Sequence, residues 1–142
     1  MFKKILAVMA AAMLLGACAD MPPSPPAQAA APAVRNFLVF FDFDRSTLTP
    51  RARDVVKEAA NVAKAGQNAR VTATGHTDTS GPANYNMALS LRRASAVKDA
   101  LVREGVPAAS IAIAGRGEES LLVTTKDGVR EPQNRRVEIV IQ

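Results

Sequence analysis

The chain predicts an α/β fold, a two-layer sandwich of a mixed four-stranded sheet and two helices in the order β-α-β-α-β-β. Three observations predict it. Residues 37–43 are an apolar, aromatic run of strand length. Two longer stretches, one after Thr49 and one from about residue 84 to 104, carry apolar residues at helical spacing. Short β-rich segments follow each of them.

The first strand is Phe37-Leu38-Val39-Phe40-Phe41-Asp42-Phe43, whose apolar run suits burial on both faces. Thr49 is placed to cap the first helix, with Pro50 at the first helical position, where its missing N–H costs nothing. Ala52, Val55, Val56, Ala59, Val62 and Ala63 then make one apolar stripe, and Gly66 closes the helix. In the second strand Val71, Ala73 and Gly75 alternate with Thr72 and Thr74, ending before the polar turn His76-Thr77-Asp78-Thr79-Ser80-Gly81. The second helix presents Met87, Leu91, Ala94, Val97 and Leu101 as its core face, and Gly105 and Pro107 stop it. Strands at about 111–114 and 137–141 flank an irregular stretch from 115 to 134.

The 142 residues suit one domain, but the first seventeen do not belong to its core. Lys3 and Lys4 precede an apolar run from residue 5 to 15, and Gly16-Ala17 follow, the pattern of a secretory leader. The run is shorter than the about 20 apolar residues that cross a bilayer. Without residues 1–17 the formal charge falls from +5 to +3, with 16 basic against 13 acidic residues. So mild a surplus with mixed signs excludes the cationic stripe that nucleic-acid binding needs.

Cys18 is the only cysteine, so no intramolecular disulfide forms. Leu15-Gly16-Ala17-Cys18 looks like the lipobox of bacterial lipoproteins. The likeness implies cleavage before Cys18 and acyl chains, palmitate among them, on its thiol and amino group. Each buried methylene is worth about 0.8 kcal/mol, so several chains anchor durably where one does not. In such lipoproteins an aspartate directly after the cysteine tends to hold the protein at the inner membrane. Here that residue is Ala19, with Asp20 one place later, which favours the outer membrane.

Residues 19–33 are almost entirely Ala, Pro, Ser, Gln, Met and Asp, too poor in apolar surface to offset ordering entropy. Pro22, Pro23, Pro25, Pro26 and Pro32 stiffen this tether, and about 15 residues at roughly 3 Å each reach some tens of ångströms. The expected division is a leader at 1–17, an acylated cysteine and linker at 18–35, and a folded domain at 36–142.

Candidate functional residues gather where the second strand meets the second helix. Asn86 and Arg93 are seven residues apart, hence nearly on one line at about 100° per residue. That line flanks the apolar stripe, so Arg93 is expected to be partly enclosed and to point toward Asp78. A carboxylate and a guanidinium around one cleft suit a zwitterion: Asp78 accepts from an ammonium and Arg93 grips a carboxylate through two parallel bonds. Asn86 supplies a donor and an acceptor, and amides at the helix start add an anion site. The competing reading of the same charges is an intramolecular Asp78–Arg93 salt bridge on a solvated surface.

Four ordered motifs carry a resemblance: Phe41-Asp42-Phe43-Asp44; Gly75-His76-Thr77-Asp78-Thr79-Ser80-Gly81; Asn86 with Leu89-Ser90-Leu91-Arg92-Arg93-Ala94; and Asn134-Arg135-Arg136-Val137-Glu138. From about Phe37 to Gln142 the chain resembles the OmpA-like C-terminal domain family. The resemblance implies non-covalent binding of the diaminopimelate residue of the peptidoglycan stem peptide, with Asp78 and Arg93 as key residues and Asn86, Thr77 and Asp44 in support. The first motif varies within the family, so either Asp44 or Asp42 faces the ligand.

His76, the only histidine, lies beside Asp78 and Ser80 but is read as structural, because a triad needs a nucleophile, base and orienter within reach. No second histidine or thiol is available for a metal, and no cofactor is expected. Asn134-Arg135-Arg136 is either a basic patch for ligand carboxylates or a set of charges that pair with nearby acids. Tyr85 either flanks the ligand or covers the helix start. Gly115-Arg116-Gly117-Glu118 reads as a turn without a phosphate-binding pattern.

The combined expectation is a non-enzymatic lipoprotein, anchored in the outer membrane with its domain in the periplasm, that tethers the membrane to peptidoglycan. The alternative is an envelope interaction module for another protein of a trans-envelope or secretion complex. Arg93→Ala is expected to abolish binding while leaving the fold intact.

Overall fold

The computed structural model describes residues 33–142. The leader, Cys18 and the linker through residue 32 lie outside the described residues. The elements are β1 (Arg35–Phe40), α1 (Pro50–Ala65), β2 (Val71–Gly75), α2 (Ala83–Arg103), β3 (Ile111–Gly115) and β4 (Arg136–Ile141), with short 3-10 turns at Ala108–Ser110 and Pro132–Asn134. The first strand thus begins at Arg35, one residue inside the expected linker.

The sheet order is β1-β4-β2-β3, with β4 antiparallel to both neighbours and β2 parallel to β3. The last strand is therefore central. Its Val137 faces Val39 on one side and Gly75 on the other, and Ile139 faces Phe37 and Ala73. Both helices lie on one face, α1 over β1 and β4 and α2 chiefly over β2 and β3. Val39, Val56, Val71, Val97, Leu101, Val137 and Ile139 are fully buried between the layers. This is the expected two-layer α/β sandwich with a mixed sheet.

The first helix starts as its sequence implies. The Thr49 side chain accepts from the Ala52 N–H at 3.1 Å and Pro50 occupies the first turn. Gly66 ends it in an extended conformation, its N–H donating to the Val62 carbonyl at 3.3 Å.

Three expectations are corrected. The first strand stops at Phe40, although the Phe41 N–H still donates to the Arg135 carbonyl at 2.9 Å. The chain then turns, with Arg45 N–H donating to the Asp42 carbonyl at 3.2 Å and Asp44 in the left-handed region at φ 54°, which aspartate tolerates better than most residues. Nor is β1 buried on both faces: it is an edge strand, and Leu38 (40% exposed) and Phe40 (45%) lie on the sheet face away from the helices.

On α2, Met87 and Leu91 are exposed and do not belong to the core face. The buried face is Asn86, Leu89, Ser90, Arg93, Ala94, Val97, Ala100 and Leu101, turned by about one position in its first half. Close packing causes this. A Cβ on Gly75 would lie 1.9 Å from the Ser90 carbonyl oxygen, and one on Gly117 would lie 3.1 Å from the Met87 nitrogen. Only the small Ser90 fits beneath that approach, so Leu91 turns outward and the polar Asn86 and Arg93 turn in.

Candidate functional site

The turn after β1, the loop after β2, the start of α2 and the segment before β4 meet at one end of the sheet. Arg93 holds them together. It is 0% exposed, and its Nε donates to the Arg45 carbonyl at 2.8 Å, Nη1 to the His76 carbonyl at 2.9 Å and Nη2 to the Asp42 carbonyl at 3.2 Å. The expectation of partial enclosure understated its burial. The guanidinium also faces the Phe41 ring at 5.3 Å. Burial, reinforced by the nearby Arg135 charge, lowers its pKa to about 10, so it remains a cation at neutral pH. Three of its five N–H groups are engaged, which leaves two.

Asp78 is buried beneath the same cleft. Its Oδ1 accepts from the Ser80 N–H at 3.2 Å and the Ser80 hydroxyl at 2.5 Å. Its Oδ2 accepts from the Glu131 N–H at 3.3 Å and from Arg135 Nη1 at 3.2 Å. The intramolecular Asp78–Arg93 bridge weighed from the sequence does not form; Arg135 is the ion-pair partner, because β4 runs antiparallel beside β2 and delivers residue 135 to the loop that follows Gly75.

Asn86, also buried, fixes the loop to the helix. Its Nδ2 lies 3.3 Å from the Asp78 carbonyl, 3.1 Å from that of Ser80 and 2.6 Å from Glu118 Oε2. Thr77 donates its hydroxyl to the Asp78 carbonyl at 2.9 Å, and its N–H donates to the Gly117 carbonyl at 2.8 Å. Asp44 accepts from the Tyr85 hydroxyl across the mouth. That hydrogen bond raises the Tyr85 pKa above its usual value.

Asp78, Arg93, Asn86, Thr77 and Asp44 all line one cleft of about 500 Å³, so the five residues chosen from the sequence are brought together. Phe43, Tyr85, Arg130 and Arg135 complete its polar and aromatic wall. Asp42 is not part of the lining; its carbonyl serves Arg93 instead. A hollow of about 610 Å³ at the far end, around Lys64 and Arg70, has no acidic residue in its lining and does not gather opposite charges.

His76 is buried, and neither ring nitrogen has a hydrogen-bond partner among the described residues. Nε2 lies 3.8 Å from Glu138 Oε1, a carboxylate held chiefly by Arg136 at 2.6 Å. Burial, then the Arg136 charge, lowers the His76 pKa against the smaller pull of Glu138. Of the two adjacent arginines, Arg135 just before β4 thus pairs with Asp78, and Arg136, the first residue of β4, pairs with Glu138. Asn134 is a clamp, accepting from the Val123 N–H and donating to the Val123 carbonyl, both at 2.8 Å.

Sequence reasoning missed Ser80, Glu118, Glu131 and Arg130, and it did not assign Arg135 to Asp78. The signal for Arg135 was its place just before a strand; the strand order needed to use it was not apparent. Among the described residues no three His, Cys, Asp or Glu side chains are grouped to hold a metal ion. No described helix is long and apolar enough to cross a membrane.

The OmpA family model matches residues 40–135. An outer membrane protein of Gluconacetobacter diazotrophicus is 52% identical over 113 residues, covering 75% of this chain and 30% of that protein. The peptidoglycan-associated lipoprotein of Pseudomonas putida is 41% identical over 112 residues, covering 79% and 66%. The crystal structure of the peptidoglycan-associated lipoprotein from Burkholderia pseudomallei superposes with a TM-score of 0.69 at 31% identity, covering 75% of this chain and 90% of that one. The chain spans 30% to 66% of the length of these two sequence relatives. With its matched segment running through the β1 turn, both helices and the loop before β4, this chain belongs to the OmpA family.

Proposed function

We propose that the domain binds peptidoglycan non-covalently, through the zwitterionic head of diaminopimelate in the stem peptide, and that it works by holding its ligand and not by catalysis. The observation that carries this reading is the cleft itself, where a buried carboxylate, Asp78, and a buried guanidinium, Arg93, line one hollow without pairing with each other. An amino-acid head group presents an ammonium and a carboxylate within a few ångströms, and this wall answers both charges. Relatives named for peptidoglycan association support peptidoglycan as the partner.

In this reading Asp78 takes the ammonium, with the Ser80 hydroxyl free to rotate away and share the oxygen. The two N–H groups left on Arg93 and the Arg135 guanidinium take the carboxylate. Asn86 and Thr77 hold the loop that carries Asp78, and Asp44, joined to Tyr85, forms the acidic side of the mouth. In this reading His76, buried and with no hydrogen-bond partner for its ring among the described residues, has a packing role.

Beyond the domain, acyl chains on Cys18 and the proline-rich segment after it would let the protein tether the outer membrane to the wall from the periplasmic side. A second reading, a docking module for another envelope protein, draws on the exposed face of β1, where Leu38 and Phe40 lie side by side. The two are separated by competition. Free diaminopimelate at millimolar concentration should release the protein from diaminopimelate-type sacculi; retention on the sacculi under saturating diaminopimelate overturns the wall-binding site proposed for this cleft.

A further inference from the structure

We propose that Arg130, stacked on Phe43 at the cleft rim, is a second carboxylate-binding position that recognises an acidic group of the peptide beyond the diaminopimelate head. The proposal rests on the peptidoglycan reading and adds a subsite to it. The Arg130 guanidinium carbon lies 3.8 Å from the Phe43 ring centroid, and both residues line the cleft that contains Asp78 and Arg93.

The backbone on either side of Arg130 is tied to the site. Gly128 N–H donates to the Thr79 carbonyl at 3.0 Å, Val129 N–H to Thr79 Oγ1 at 3.2 Å, and Glu131 N–H to Asp78 Oδ2 at 3.3 Å. Arg130 thus stands at a set distance from the carboxylate that takes the ammonium. Its side chain is exposed at the rim, while the backbone on both sides of it is pinned.

Its donors are available. Arg93, Arg135 and Arg136 each donate to carbonyl or carboxylate oxygens, whereas Arg130 has no hydrogen bond or ion pair among the described residues. Stacking uses the face of the guanidinium and leaves its N–H edge for a carboxylate in the same plane. Phe43 therefore orients the fork without consuming a donor.

Charge gives the ligand class. Arg93 and Arg135 donate to oxygens of the fold, and Arg130 is the arginine of the cleft lining without an internal partner. A carboxylate on the peptide beyond the zwitterionic head supplies the partner it lacks.

The test uses the whole 142-residue chain in detergent and two peptide probes. Both contain diaminopimelate; in one the neighbouring residue keeps a free carboxylate, and in the other that group is a carboxamide. The wild type should bind the carboxylate probe about fivefold more tightly, in the range of partly exposed ion pairs. Arg130→Gln should erase that preference, and Phe43→Leu should reduce it. A preference that survives Arg130→Gln, or a wild type that shows none while binding the carboxamide probe, overturns the subsite and leaves the diaminopimelate reading intact. A wild type that binds neither probe overturns both.

Discussion

Asp78 is paired with Arg135 at 3.2 Å, both side chains almost wholly enclosed. The pair joins the loop after β2 to the residue just before β4. Arg93, which lines the same cleft, is thereby left to organise the backbone through its bonds to the Arg45, His76 and Asp42 carbonyls.

Arg93→Ala should destabilise the domain by about 3–5 kcal/mol, the cost of deleting a buried, hydrogen-bonded charge and leaving its partners unmet. Three carbonyls from separate segments, those of Asp42, Arg45 and His76, would lose their donor. The sequence-based expectation of an intact fold is therefore replaced by a loss of stability, read as a lower urea midpoint at unchanged slope. A variant with wild-type stability contradicts the clamp.

Much of the fold was legible because its signals are local. Thr49-Pro50 at the first helix, the alternation from Val71 to Gly75 and the Gly105 stop each rest on neighbours within a few residues. The five residues expected at the site do line one cleft, an expectation drawn partly from charge type and spacing and partly from family resemblance. What stayed hidden depends on distant segments: Leu91 faces outward because Gly75 and Gly117 bring their backbone against α2, and Arg135 finds Asp78 because the last strand is central.

Gly75→Ala and Gly128→Ala should differ sharply. A Cβ at Gly75 meets the Ser90 carbonyl at 1.9 Å, so α2 must move off the sheet, and a loss of at least about 3 kcal/mol is expected. Gly128 has nothing within 4 Å and only a φ of 77° to satisfy, which costs about 1–2 kcal/mol. Equal midpoints in thermal unfolding would show that the close approach is not tight.

His76 gives stability a slope with pH. Its folded pKa lies below the model-peptide value of 6.5, so between those two values the unfolded chain binds the proton and the native state does not. Stability is then full above about pH 6.5 and falls as the pH drops toward the lowered value. His76→Gln should flatten that part of the profile between pH 7 and 5. An unchanged slope contradicts a buried neutral imidazole.

Asp78→Asn tests charge at the site with little change in shape. The amide oxygen can still accept from the Ser80 N–H, while the charge that meets Arg135 and the proposed ammonium is removed. A stability loss of about 3 kcal/mol is expected, because the enclosed Arg135 loses its counter-charge and an amide NH2 replaces the oxygen that accepts from it and from the Glu131 N–H; it is measurable by urea unfolding, with circular dichroism to check that the variant is folded.

The measurement that bears most directly on wall binding is co-sedimentation of the folded wild type and the folded Asp78→Asn variant with purified diaminopimelate-type sacculi. Wild-type protein in the pellet, with the variant at least tenfold weaker, is the expected result. Equal recovery of both with the sacculi, or of neither, contradicts a binding site built on Asp78.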